Sequence, residues 1–259
     1  ITFYSGGTPG TDGNVWISTD LFDAGFDRLA VYSNGTITVP AGTTLATQSG
    51  GSLYLGSTKR IDVQGNLITP GGAITLKTFQ PFSGLDGDVT LGAHTLISAA
   101  GTWTNDSLPD ADRSAASQAD AGSISIEGYG DLDLATGSVL DVSGGAWVKQ
   151  DGSVEKGNAG SISLAVKSLD ASQTASNRIT LGSELRGYAM GKGGSLKIRA
   201  AKALIGNSGT PLPAGWGGET LVLDSGIFTR GGFTDYSVEG YDALTVAATE
   251  QVLKIGAMG

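Results

Sequence analysis

One six-residue phrase recurs along this chain and restricts the folds that are available to it. Residues 193–198 read Gly-Gly-Ser-Leu-Lys-Ile, and related copies lie at 50–55, 71–76, 121–126 and 159–164. Each copy starts with two small residues and ends in an apolar-polar-apolar alternation, which is typical of a strand with one buried face. Glycine permits the backbone angles of a sharp corner. We therefore predict repeated units, each a glycine corner followed by a strand.

The spacing of these units favours a solenoid over a sandwich or a barrel. From residue 26 onward the predicted strands start about 7 to 9 residues apart, closer than the roughly 8 to 12 typical of sandwiches. Such spacing fits a coil of two or three strands. Leu53 and Ile74 hold equivalent places in two copies and are 21 residues apart, about the perimeter of one β-helical coil. Later intervals of 50, 38 and 34 residues require extra coils or loops.

The remaining segments complete the predicted architecture. A second strand pattern, apolar-Asp-apolar before glycine, occurs at 61–65 and 140–144, and we expect it to alternate with the first. Loop insertions are expected at 103–120, 145–158, 168–178 and 206–219, which are rich in Ser, Asp, Asn, Gly or Pro. No segment has the apolar stripe of an ordinary helix, and 225–233 predicts a tight crossing. The prediction is an all-β parallel β-helix, with inward aliphatic columns where neighbouring coils are in register.

Composition excludes several classes of protein. The chain has 42 glycines without a triplet repeat, which excludes collagen, and no cysteine, which excludes disulfides and thiolate nucleophiles. A net charge of −9 with 16 Lys and Arg disfavours binding to nucleic acid. No run of about 20 apolar residues predicts a transmembrane helix, so we expect no membrane insertion. Because the chain starts at Ile1, we expect a segment of a longer protein whose targeting signal lies elsewhere.

A longer repeat lies above the coil repeat. Residues 25–31 align without gaps to 232–238, and the apolar-Thr-Val triplet at 37–39 recurs at 244–246, so the offset is 207 residues throughout. We interpret this as one module followed by the start of a second at about residue 232. The predicted organisation is an irregular start or linker at 1–24 and a β-helical shaft at 25–259.

These features together resemble the passenger exoproteins of Gram-negative two-partner secretion, the filamentous-haemagglutinin-like proteins. The resemblance covers roughly residues 25–255, and its carriers are the glycine phrases at 193–198, 137–145 and 227–233. It implies a right-handed β-helical shaft, exported through an outer-membrane two-partner secretion transporter and secreted or held at the cell surface. It also implies adhesion or display, with a host-cell protein or a glycan as receptor. The family's amino-terminal secretion signature is not visible, so the segment would belong to the central shaft.

Catalytic candidates are few. His94 is the only histidine, so a Ser-His-Asp triad would depend on it, and its surroundings predict an ordinary strand position. Clustered carboxylates are the alternative, because β-helices also carry polysaccharide lyases and hydrolases that use Asp, sometimes with calcium. The candidate pairs and clusters are Asp131 and Asp133, Asp86 and Asp88, and Asp106, Asp110 and Asp112. A solvated acidic face is the favoured interpretation, since surface Asp is common.

Three tryptophans are weak candidates for binding. Trp103, Trp147 and Trp216 each fall in a predicted loop, where a flat ring could stack on a sugar or anchor a protein partner. The competing interpretation is that each ring packs over its own loop. We therefore expect a noncatalytic structural or adhesive shaft without cofactor or metal. A carbohydrate-active enzyme on the same fold is the alternative.

Overall fold

A computed structural model describes residues 1–6, 10–11, 13–80, 87–108, 118–167, 177–207 and 209–247. It contains 23 strands, one four-residue α-helix, α1 (Asp20–Asp23), and a 3-10 helix at Ser225–Thr229. The strands are β1 (Thr2–Tyr4), β2 (Trp16–Ser18), β3 (Arg28–Ser33), β4 (Ile37–Val39), β5 (Thr44–Ala46), β6 (Ser52–Ser57), β7 (Arg60–Val63), β8 (Asn66–Ile68), β9 (Ala73–Thr78), β10 (Asp88–Leu91), β11 (Leu96–Ser98), β12 (Trp103–Asn105), β13 (Ser123–Gly128), β14 (Leu132–Leu134), β15 (Val139–Asp141), β16 (Ala146–Val148), β17 (Val154–Lys156), β18 (Ser161–Val166), β19 (Ile179–Leu181), β20 (Glu184–Arg186), β21 (Gly194–Gly206), β22 (Thr220–Asp224) and β23 (Phe233–Val246). Within these ranges no helix is long and apolar enough to cross a lipid bilayer.

Three parallel sheets form the sides of a β-helix. Sheet B has the order β3-β6-β9-β13-β18-β21, with β22 and β23 both paired to β21. Sheet A has the order β2-β1-β4-β7-β10-β14-β19, and sheet C the order β5-β8-β11-β15-β20. The chain passes from B to A to C and then returns to B one layer higher. Each of the first five coils therefore has three strands, and the predicted parallel β-helix is confirmed.

The glycine phrases lie in register in sheet B, as the sequence predicted. Leu53 pairs with Ile74, so the spacing of 21 residues is one coil. The intervals of 50, 38 and 34 residues each span a single coil, because the next strand pairs directly in every case. Their excess is inserted chain within a coil rather than extra coils. The inward residues form two buried columns, Leu53, Ile74, Ile124, Ile162 and Leu196, and Leu55, Leu76, Ile126, Leu164 and Ile198.

The second strand pattern does not form one class. Residues 61–63 lie in β7 of sheet A, whereas 140–142 begin in β15 of sheet C. In sheet A, β7 pairs with β10 and β10 pairs with β14, so the strand equivalent to β7 two coils further on is β14 and not β15. Both sheets use strands of three or four residues whose central side chain alternates with its neighbours in burial. A pattern this short fits either sheet, so only the pairing distinguishes them.

The second residue of each corner is glycine because the coils stack closely there, more than because the backbone needs a positive φ. The first position has a positive φ at Gly50 (76°) and Gly71 (62°), but alanine takes it at 121 and 159. Among second positions, a Cβ added to Gly122 would lie 2.5 Å from the carbonyl carbon of Gly72 and nearer still to its oxygen. That oxygen accepts a hydrogen bond from the Ser123 N–H at 2.8 Å. A side chain on Gly122 would therefore separate two hydrogen-bonded coils.

The same contact recurs one layer further on. A Cβ added to Gly160 would lie 2.8 Å from the carbonyl carbon of Gly122, whose oxygen accepts the Ser161 N–H at 3.1 Å. The corner glycines thus form a ladder in which each backbone fills the space that a methyl group would need. The recurring glycine is a packing requirement of the stack as well as a turn residue.

The outward face of sheet B carries a charged group that links three coils. Glu127 of β13 lies 3.3 Å from the Lys77 ammonium of the coil below and 2.8 Å from Lys167 just after β18. Burial alone would raise the pKa of the Glu127 carboxyl, but the two ammonium groups outweigh that effect and lower the pKa. The carboxylate therefore remains charged where it offsets two neighbouring cations.

Both ends of the chain depart from simple coils. The start, predicted at 1–24 to be irregular or a linker, contains β1 and β2, which extend sheet A and bury Phe3 at the end of the core. At the other end, β23 is one continuous strand along β21, whereas the segment that aligns with it is divided between β3 and β4. The two copies of the 207-residue repeat are therefore built differently. The second module and the domain division at residue 25 stay predictions.

Candidate functional site

The insertions at 103–120 and 145–158 contain strands that form a fourth sheet beside the shaft. Strands β12 and β16 are parallel, and β17 runs antiparallel to β16. We call β12, β16 and β17 the lateral sheet. Its β16–β17 connection is a tight hairpin, with Gly152 at a φ of 79° and its N–H donated to the Lys149 carbonyl at 2.9 Å. The sheet leaves the shaft just after sheet C.

Trp103 is the most exposed large apolar side chain among the described residues, at 70%. It pairs with Ala146 in the register of the lateral sheet. Alternation along the strands places Val148 and Val154 on the same face, and Val154 is 45% exposed. The lateral sheet therefore presents Trp103 and Val154 to solvent beside the half-buried Val148, and we call these three residues the lateral face.

Trp147 occupies the opposite face and is held in place by polar contacts. Its indole Nε1 donates to Asp106 Oδ2 at 2.6 Å. The Lys149 Nζ lies 4.9 Å from the centroid of the ring and 2.9 Å from Glu155 Oε2. The half-buried ring thus packs within its own sheet, which matches the competing interpretation for this tryptophan.

The predicted loop positions of the tryptophans need one correction. Trp103 and Trp147 lie in strands, because the two insertions pair with each other instead of looping separately. Trp216 lies in the fourth insertion, 206–219, half-buried, and its backbone N–H donates to the Pro213 carbonyl at 3.1 Å. An Asp151-Gly152 pair marks the β16–β17 hairpin and is a strong hairpin signal that could have located this sheet.

The aspartates of sheet A form a row of ion pairs on its outer surface. Asp88 Oδ2 lies 2.8 Å from the Arg60 guanidinium, and Asp88 Oδ1 accepts the Asp131 N–H at 2.8 Å. Arg178 lies 3.6 Å from Asp131 and 3.7 Å from Asp133. Each carboxylate therefore already has a cation or a backbone donor, which is typical of a structural row along stacked strands.

The other polar candidates do not join this row. Asp106 is bonded to Trp147 on the lateral sheet, while Asp86, Asp110 and Asp112 lie outside the described residues. Within the described part of the chain, no group of three or more His, Cys, Asp or Glu side chains could hold a metal ion. His94 is exposed in the turn between β10 and β11, so the expected strand position was wrong. The apolar pattern of 96–98 begins only after that turn.

The three tryptophans and the aspartates thus separate into packed residues, surface ion pairs and one exposed aromatic face. Comparisons of the whole chain with protein-family models, curated proteins and solved structures found no significant match.

Proposed function

We propose that this chain is a noncatalytic shaft that holds a lateral binding surface away from the surface of a Gram-negative cell. The number of stacked coils sets how far the binding surface lies from the cell, and the insertions after sheet C supply that surface as the lateral face. The observation that carries the proposal is the exposed Trp103 on a sheet that the β-helix itself does not need. Exposed aromatic rings on rigid elements are frequent anchors for protein or glycan partners.

The proposed export route rests on the sequence resemblance. A two-partner secretion exoprotein would be delivered through an outer-membrane transporter, and its long parallel stack would remain outside the cell. The complete open reading frame tests this part of the proposal. A secretion domain at its amino terminus and an adjacent transporter gene are expected, and the absence of both would contradict the route.

The carbohydrate-active enzyme is the less supported alternative. Polysaccharide-cleaving β-helices need carboxylates that are free to exchange protons with the substrate. Asp88, Asp131 and Asp133 instead share Arg60 and Arg178 on the outer surface of sheet A. This distribution favours a structural role for the row.

The Trp103→Ala variant tests the adhesive part of the proposal. Beads coated with the purified chain are expected to adhere to cultured epithelial cells, and the variant should reduce adherence at least tenfold, as expected for an anchor tryptophan. The melting temperature should not change, because the ring is 70% exposed. Phe26→Ala is the matched control, since Phe26 is an exposed aromatic residue before β3. Failure of the wild-type chain to adhere, or equal adherence of the two variants, would contradict the proposal.

A further inference from the structure

A groove lies beside β20, in the last coil that the structure describes. Strand β20 is the final strand of sheet C in the described chain, because β21 continues straight where earlier coils turn into sheet A. The chain then returns through β22 and the 3-10 helix and crosses in front of β20. A cavity of about 690 Å³ remains between these elements. That volume lies within the range of about 300–1,000 Å³ that is typical of small-ligand sites.

Backbone contacts preform this groove. Gly231 and Gly232 both have a positive φ, at 77° and 78°, and make the sharp crossing after the 3-10 helix. The Gly187 N–H donates to the Gly231 carbonyl at 2.6 Å. A Cβ on Gly232 would lie 2.6 Å from the ring of Tyr188. The crossing segment is therefore fixed against the chain that follows β20, and the groove does not depend on a free loop.

The floor of the groove is apolar. It is formed by Leu181 and Leu185 from the last coil and by Ile227 and Phe233 from the returning chain. These residues continue the core of the shaft, since Phe233 belongs to the buried core cluster and the other three are partly buried against that cluster. An apolar floor favours a ligand with at least one apolar face.

The rim carries Glu184, Asp224 and Arg230, and Arg186, which does not line the groove, pairs with Glu184, so the charges cancel. Arg186 donates to both carboxylate oxygens of Glu184, at 2.9 Å each. Asp224 accepts the Gly226 N–H at 2.8 Å and lies 3.1 Å from the Arg230 guanidinium. The Arg186 guanidinium lowers the pKa of the Glu184 carboxyl, so that pair stays charged at neutral pH. The rim thus offers planar hydrogen-bonding groups in fixed positions without a net charge.

An aromatic ring completes the groove. Tyr188 lines it and is 54% exposed. A ring with one open face can stack on the C–H face of a sugar, while the hydroxyl groups of the sugar bond to carboxylate and guanidinium edges. An anionic ligand is disfavoured, since the rim is balanced and the whole chain carries a net charge of −9. A bare cation is disfavoured, because an arginine already pairs with each carboxylate.

We propose that this groove binds a neutral oligosaccharide, with Tyr188 as the stacking platform and Glu184, Asp224 and Arg230 as hydrogen-bonding partners. The site is separate from the lateral face, and the proposal goes beyond the shaft function. Binding here needs no chemistry on the ligand. The sugar would lie between β20 and the 3-10 helix.

The test is a titration of the whole chain with defined oligosaccharides, in which binding is measured by isothermal titration calorimetry and by ligand-observed NMR. The neutral probes are cellotetraose, mannotetraose and N-acetylchitotetraose, and the charged comparison is tetragalacturonate. At least one neutral probe should bind more tightly than the charged one, and Tyr188→Ala should weaken that binding about tenfold. Tyr32→Ala is the matched control, because Tyr32 is 63% exposed on sheet B away from the groove, and it should leave binding unchanged.

Each other outcome is informative. Failure of all neutral probes to bind, tighter binding of tetragalacturonate, or equal loss of binding in both tyrosine variants would overturn the groove proposal and leave the adhesive proposal standing. Arg230→Met, whose guanidinium is exposed, gives a second measurement if Tyr188→Ala proves unstable, and it should also weaken binding. Cleavage of a bound probe would support the groove as a saccharide site and overturn the noncatalytic function.

Discussion

The Gly122→Ala variant is expected to lose at least about 3 kcal/mol of the free energy of unfolding, although it adds only one methyl group. The new Cβ would lie 2.5 Å from the carbonyl carbon of Gly72, which is backbone and has no rotamer to change. Relief of the contact must move β13 away from β9. That movement lengthens the bond from the Ser123 N–H to the Gly72 carbonyl and loosens the pairing above it.

Urea denaturation followed by circular dichroism measures this loss. Gly218→Ala is the matched control, because Gly218 has no atom within 4 Å of an added Cβ and no positive φ. The control should stay within about 0.5 kcal/mol of the wild type, as is usual for surface substitutions. Equal stability of the two alanine variants would contradict the close-stacking account of the corner glycines.

Removal of a core side chain should have a comparable effect. Leu164→Ala is expected to lower the free energy of unfolding by about 2–5 kcal/mol, which combines lost burial with the cavity that remains. Leu164 is 0% exposed and lies between Ile126 and Ile198 in the inward column. Neighbouring coils are held by their own pairing, so they cannot collapse freely into the cavity.

The neighbouring residue gives the control for this loss. Ser163 lies next to Leu164 on β18, but its side chain points outward, between Ser125 of β13 and Lys197 of β21. Ser163→Ala should therefore alter the free energy of unfolding by less than about 0.5 kcal/mol. The same denaturation measurement serves both variants. If Ser163→Ala were as destabilising as Leu164→Ala, the assignment of inward and outward faces in β18 would be wrong.

The sequence was sufficient to predict the fold class and the inward face of the sheet B strands, while the register between coils came from the structure. Strands of six residues, such as β13 and β18, contain enough alternation to define a buried face, and their shared glycine phrase identifies equivalent positions. The strands of sheets A and C are mostly three residues long, so β7 and β15 look alike although they lie on different sides. Short strands define a face only through the partners that they acquire.

The candidate sites depended more strongly on long-range pairing. Trp103 was named as a binding candidate, but its exposure follows from the pairing of two insertions separated by the whole of β13 to β15. The groove was not predicted at all, because it arises where no strand of sheet A or sheet C follows β21 in the described residues. In the sequence, Glu184 and Arg186 look like any other pair of oppositely charged surface residues. Their position beside the 3-10 helix becomes visible only in the folded chain.

Engineered cysteine pairs test the stacking of the coils most directly, since the chain has no cysteine of its own. Paired residues of neighbouring parallel strands are about 4.8 Å apart, within the roughly 4.4–6.8 Å that a disulfide requires, whereas residues two coils apart are not. Ser125 pairs with Ser163, and Ser163 pairs with Lys197. We predict that the double variant Ser125→Cys/Ser163→Cys forms an intramolecular disulfide under mild oxidation and that Ser125→Cys/Lys197→Cys does not. Cross-linking of the second pair, with the first remaining reduced, would contradict the three-sided parallel stack.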